Sequence, residues 1–232
     1  MARLLAILLS TVLLIAGTAS AASDDDAYLV VKKRDFKKTY KVIALAPVDA
    51  DPYLAMSPAV AAMLEQEVTA RLQKRGYTVI PSTVLGDIRK TMEEQVGGIK
   101  DAETGRVNVA KQQAVRDHAF RELWFTQQID ALANIRLSIT QVPMESDRVE
   151  WDGTKQKLAH EGRSKKYSAK VMVSSVSVGI YDVASKPVYL YYGGLEPLMF
   201  RDGEQLSPLP VEQFFLDEKR IRKAAQIAVD PI

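Results

Sequence analysis

The stretch "YKVIALAPV", Tyr40 to Val48, constrains this chain more than any other. From Val42 onward it is apolar without interruption, whereas a strand with one wet face alternates apolar and polar side chains. An unbroken run reads as a strand buried on both faces. Such a strand needs a sheet with a packed layer on each side. Pro47 lacks the N–H that a ladder requires and limits its length.

The following residues supply the covers. Ser57 suits an N-cap and Pro58 the first helical position. Val60, Leu64, Val68 and Leu72 then form one stripe, with Met63 beside it. Lys74 and Arg75 suit the negative end of the helix dipole, and Gly76 a left-handed stop. "YTVIP" is a short strand closed by Pro81. Ser82 is expected to cap a second helix that buries Val84, Leu85, Ile88, Met92 and Val96 and ends at Gly97-Gly98. After the polar loop "IKDAETGRVN", a third helix is predicted from Val109 to Gln127. "NIRLSITQV" alternates, with Ile135, Leu137 and Ile139 on one face. "PMESDRVEWDGTKQKLAHEGRSKK" reads as a long polar excursion containing an Asp152-Gly153 turn signal. "YSAKVMVSSVSVGIYDVASKPVYLYYGG" reads as two strands joined at Asp182 to Lys186. "SPLP" is a rigid extended piece, and Phe215, Ile221, Ala224, Ala225 and Ala228 mark a last helix.

The order β-α-β-α-α-β-β-β-α predicts an α/β fold. It is a three-layer mixed sheet of about five strands with helices on both faces, its early strands parallel and its late hairpin antiparallel at one edge. Residues 40–232 are expected to form one domain, preceded by a flexible charged leader over 23–39 and a cleaved signal peptide over 1–22. The signal reading rests on Arg3, the apolar run Leu4 to Ala16 and the small residues Ala19 to Ala22. That run, roughly 13 residues, falls short of the ~20 needed to span a bilayer. The chain is therefore expected in the periplasm without a stable membrane anchor. It has no cysteine, which leaves neither a lipidation site nor a disulfide. Its net charge of +2 argues against a nucleic-acid partner.

Most chemistries lack their residues. The turn after "YTVI" is Pro81-Ser82-Thr83, with none of the glycines of a phosphate cradle, so no nucleotide site is expected. The two histidines, His118 and His160, do not make a metal cluster, although Glu122 lies one helical turn from His118. No G-x-S-x-G elbow or cysteine nucleophile occurs, and Ser174 and Ser175 suit cross-strand hydrogen bonds. No cofactor, metal or catalytic residue is expected. One enzymatic alternative uses the acidic loop: Glu145, Asp147, Glu150 and Asp152 beside Trp151, a possible sugar platform. The same region offers a partner-binding patch of Trp151, Lys155, Lys157, Arg163, Lys165 and Lys166 with Tyr189, Tyr191 and Tyr192, since interfaces favour aromatics and arginine.

"VIALAPV", an amphipathic helix and "LQKRGYTVIPSTVLGDI" together resemble a group of bacterial envelope domains that includes the TolB N-terminal domain, CsgG and LpoB. "VSVGIYDVASKPVYLYYGG" is similar to the long strand pair of that group. The resemblance implies an assembly, scaffolding or activator role and transfers no catalytic residue, because the matched positions serve packing and turns. Many members are lipoproteins, and the missing cysteine blocks that feature here. The expectation is a non-enzymatic periplasmic envelope module that binds a protein partner or self-assembles. The alternative is a carbohydrate- or lipid-binding or hydrolytic envelope enzyme.

Overall fold

The computed structural model describes residues 28–29, 32–158, 168–202 and 205–232; the expected signal peptide lies outside them. The first strand, β1, is Tyr28–Leu29 and the first helix, α1, is Lys33–Thr39. The next elements are β2 (Val42–Leu45), β3 (Asp49–Ala50), α2 (Pro58–Lys74), β4 (Thr78–Ile80), α3 (Ser82–Gln95) and α4 (Val109–Gln127). The long strand β5 (Ala131–Glu145) precedes the hairpin β6 (Arg148–Trp151) and β7 (Thr154–Lys157). The chain closes with β8 (Ser168–Asp182), β9 (Pro187–Pro197), β10 (Met199–Asp202), β11 (Gln205–Pro208) and α5 (Glu218–Val229).

The main sheet runs β1-β9-β8-β5-β2-β4. β2 lies parallel to both β4 and β5, while β8 and β9 add antiparallel pairs beyond β5. This is the expected mixed α/β arrangement. Among the described residues nine strands join the sheet, rather than about five, because β1, β3, β6 and β7 come from segments read as leader, loop or excursion.

Adjacent residues of β2 enter different cores, which accounts for its unbroken apolar run. Ile43 and Leu45 pack under α1, α2 and α5 among Leu64, Leu72, Ile135 and Val178. Ala44 packs under α3 and α4 with Leu85, Ala119 and Leu123. The predicted stripe Val60, Leu64, Val68, Leu72 is buried on α2. Ser57 Oγ accepts from Val60 N at 3.3 Å, and Gly76 ends the helix at φ +89°. Asp182 builds the β8–β9 turn by accepting from Ala184 N and Lys186 N, each at 2.9 Å.

Four expectations are corrected. Part of the supposed flexible leader is ordered structure: β1 pairs with β9, and α1 buries Phe36 with its ring 4.8 Å from Tyr40 and 6.0 Å from Tyr77. Burying one phenylalanine contributes about 1.5–3 kcal/mol, while Lys33, Arg34, Lys37 and Lys38 stay in water. Ser82 does not cap α3. It sits inside the first turn and donates its N–H (2.9 Å) and hydroxyl (2.6 Å) to Glu65 of α2. The polar excursion 143–157 completes β5 and forms the β6–β7 hairpin. Val96, expected on the buried side, lies past the end of α3 and is 41% exposed.

Helix α5 meets β9 through Ala224, Ala225 and Ala228, and Gly193 makes that approach possible. A Cβ on Gly193 would stand 2.0 Å from the Ala224 carbonyl oxygen. Gly193→Ala is expected to cost about 3 kcal/mol in urea unfolding, because helix backbone cannot yield as a side-chain tip does. Gly86→Ala in α3 meets nothing within 4 Å and is expected to gain about 0.5–1 kcal/mol.

Candidate functional site

Side chains alternate along β5 and β8, so each strand serves two layers. Ile135, Leu137, Val176 and Val178 face the α2–α5 side. On the opposite face two separate covers meet the sheet. At one end α3 and α4 pack over Ala44, Ile80 and Leu132. At the other, the β6–β7 hairpin lays Val149 and Trp151 over Val142, Met144, Val171 and Val173.

A strip of sheet remains between these covers. Its cross-strand rows are Asn134–Gly179–Leu190 and Arg136–Ser177–Tyr192, with Ser138 at the margin, where Ser175 and Gly194 pass under the hairpin turn. Asn134 and Arg136 are exposed, Leu190, Tyr181 and Tyr192 are half-buried, and Ser177 and Gly179 form a floor between larger neighbours. Arg136 pairs with Asp49 at 3.1 Å and Asp51 at 3.4 Å. Where the strip meets the helices, Ala46, Leu85, Phe120, Leu132, Arg89, Arg116 and Tyr181 line a cavity of about 330 Å³.

The hairpin turn borders the other end. Asp152 and Gly153 adopt φ +42° and +68° between the paired residues Trp151 and Thr154, the left-handed geometry that Asp-Gly favours in two-residue hairpins. The Trp151 indole donates to Ser174 O at 3.1 Å and Thr154 Oγ1 to Gly194 O at 2.7 Å. Asp152 accepts the Ser175 hydroxyl at 2.6 Å. Burial pushes the Asp152 carboxyl above the usual carboxylate range, with the Ser175 bond opposing. Burial also raises the Tyr192 phenol, helped by Asp152 and Tyr181.

The described members of the patch expected from the sequence do not assemble as a surface. Trp151 is 3% exposed and Tyr189 fully buried. The Tyr189 hydroxyl donates to Ala228 O at 2.7 Å, and burial raises its phenol above the usual range. A tryptophan over an aliphatic ribbon serves as its cover and has no face left for a partner. Tyr191 packs toward the α2–α5 core, while the next residue, Tyr192, joins the strip. Lys155 and Lys157 are exposed and pair with Glu150 at 2.7 Å and Asp147 at 3.8 Å. Arg163, Lys165 and Lys166 lie outside the described residues.

Three of the four acidic residues of the loop stay together. Glu145, Asp147 and Glu150 line an open hollow of about 580 Å³ with Arg148 and Lys155, while Asp152 turns inward to Ser175. Ser174 makes the expected cross-strand hydrogen bond, donating to Glu196 O at 3.0 Å, whereas Ser175 donates to Asp152 in the hairpin turn and not to a neighbouring strand. Sequence reasoning missed the strip. Its signal was the polar run Asn134, Arg136, Ser138 on one face of β5, visible once Ile135 and Leu137 were placed on the other.

No protein-family model matches this chain, and no curated protein does. Among solved structures it is similar to the dodecamer of a PelC point variant from Paraburkholderia phytofirmans, with TM-score 0.37, 9% identity, 83% of this chain and 89% of that chain covered. It is also similar to a putative neuraminyllactose-binding hemagglutinin homolog from Helicobacter pylori, with TM-score 0.35, 9% identity, 88% of this chain and 86% of that chain covered. No described helix is long and apolar enough to cross a membrane.

The Asp152 environment has a pH signature. A carboxyl whose pKa is raised on folding keeps its proton in the native state over a window where the unfolded chain has lost it. Its contribution is therefore present at low pH and lost as pH rises through the folded value. Asp152→Asn keeps the turn, since Asn-Gly suits it equally, and can still accept from Ser175. The variant is expected to match or exceed the parent's stability at about pH 7 and to lose that advantage at about pH 4, across the carboxylate range. Urea midpoints of both proteins at the two pH values check this.

Proposed function

We propose that this chain is a non-catalytic module of the bacterial cell envelope, exported to the periplasm, that binds a protein partner through the open strip of β5, β8 and β9. The observation that carries the reading is the strip itself: sheet left uncovered between two packed covers, presenting Asn134, Arg136, Ser138, Tyr181 and Tyr192. Tyrosine and arginine are the residues interfaces favour. The strip is polar, with Arg136 neutralised by Asp49 and Asp51. That suits a separate partner better than a permanent second copy, because homodimer interfaces are more apolar than the rest of the surface. The resemblance to TolB-type envelope domains and the signal-like residues 1–22 support the compartment. The non-catalytic reading is supported by the setting of the acidic residues: Glu150 is 70% exposed and paired with Lys155, and the buried Asp152 is engaged by the Ser175 hydroxyl at the hairpin turn.

The test places a photo-crosslinking residue at Asn134 in the periplasmic protein, with Glu103 of the exposed 101–106 turn as control. A partner captured only from position 134 is then purified and titrated. Tyr192→Ala is expected to weaken its binding about tenfold, the loss of a contact worth ~1.4 kcal/mol, with unfolding midpoints unchanged. Crosslinks only between copies of this chain would replace the partner reading with self-assembly. Equal capture from both positions would sink it.

A further inference from the structure

A second concave surface lies on the far side of the hairpin, where β7 meets α5. Thr154, Lys155, Gln156 and Lys157 form one wall, Arg220 and Lys223 the other, and Gly194 and Leu195 the floor, around about 340 Å³. Among the described residues, four cationic residues and no carboxylate line this groove, with Lys155 shared with the acidic hollow. They come from elements more than sixty residues apart in sequence, brought together by tertiary packing.

The floor is fixed. Gly194 N donates to Asp152 O at 2.9 Å, Thr154 Oγ1 donates to Gly194 O at 2.7 Å, and Gln156 Nε2 donates to Leu195 O at 2.7 Å. A Cβ on Gly153 would lie 3.2 Å from Ile227, so the hairpin tip rests directly on α5. The acids that answer the cations stand outside the groove: Glu150 to Lys155 at 2.7 Å, Asp147 to Lys157 at 3.8 Å and Asp217 to Arg220 at 3.1 Å. Lys223 has no ion pair among the described residues. The paired cations are about half exposed, and ion pairs of that kind are worth at most ~1 kcal/mol, so a multivalent anion in the groove can displace them.

We propose that the β7–α5 groove binds a phosphate group. A concavity lined by one sign of charge concentrates the opposite sign. A phosphomonoester brings close to two negative charges and three acceptor oxygens in one small group, and the Arg220 fork and the lysine ammoniums match those oxygens. Leu195 is the only apolar side chain among the described lining residues, so the groove lacks the apolar pocket that anchors an acidic peptide. The phosphate can belong to a lipid headgroup or to a soluble compound. The site is separate from the open strip, so this inference stands apart from the partner reading.

The probes are inorganic pyrophosphate, followed by amide NMR on the intact chain, and sedimentation with phosphatidylcholine vesicles with and without phosphatidic acid. Pyrophosphate is expected to shift Gly194, Leu195, Thr154–Lys157 and Lys223 saturably. Lys223→Glu should weaken that binding at least tenfold, while Lys90→Glu, the same charge change on α3, should leave it within twofold. Vesicle binding that needs phosphatidic acid, and is lost in Lys223→Glu, assigns the phosphate to a lipid. Pyrophosphate binding without vesicle binding assigns it to a soluble compound. Shifts that do not saturate, shifts centred elsewhere, or equal binding by Lys223→Glu and Lys90→Glu would overturn the proposal.

Discussion

Fifteen consecutive residue pairs join β5 to β8, and the rest of the molecule is arranged around covering that ribbon. At about 3.3 Å per residue a strand of this length extends roughly 50 Å. A helix rises only about 1.5 Å per residue, so α4, with 19 residues, spans little more than half of it. Helices on the α3–α4 side cannot reach from one end of the ribbon to the other. The far end must find another cover or leave Val142, Met144, Val171 and Val173 in water. The β6–β7 hairpin is that cover, folded back by the chain that leaves β5.

Two covers of different kinds, arriving from opposite ends, do not meet. The open strip is the result, and its composition follows from its position. Val142, Met144, Val171 and Val173 under the hairpin and Ala44, Ile80 and Leu132 under the helices are apolar, whereas Asn134, Arg136, Ser138 and Ser177, on the same face between them, are polar. Polar side chains at these positions keep an uncovered sheet face in water without making an adhesive apolar patch.

The glycine pair in "YYGG" ties the covers to one another. Gly193 admits the α5 backbone on one side of β9 and Gly194 admits the Trp151–Thr154 turn on the other. A side chain at either position would push a whole layer away, and with it the close approach of hairpin and α5 that forms the cationic groove. Glu196, two residues on, accepts from Phe215 N at 2.6 Å and holds the segment that leads into α5. This short stretch of β9 therefore positions three elements at once.

Much of the local structure was legible in the sequence. The unbroken run of β2, the caps and stripe of α2, the Asp152-Gly153 turn and the Asp182 turn each depend on residues within a few positions of one another. Backbone sterics and side-chain periodicity act at that range. The sequence alone thus determined the fold class, the mixed sheet and the order of its central elements, β2-α2-β4-α3-α4-β5-β8-β9-α5. Only the tertiary structure decided that Phe36 docks among charged neighbours, that Trp151 covers the ribbon, that part of one face stays open, and that Lys155 stands across a groove from Arg220. Those outcomes depend on strand register and on which layer reaches how far. They join residues far apart in the chain, and no local pattern specifies such distances.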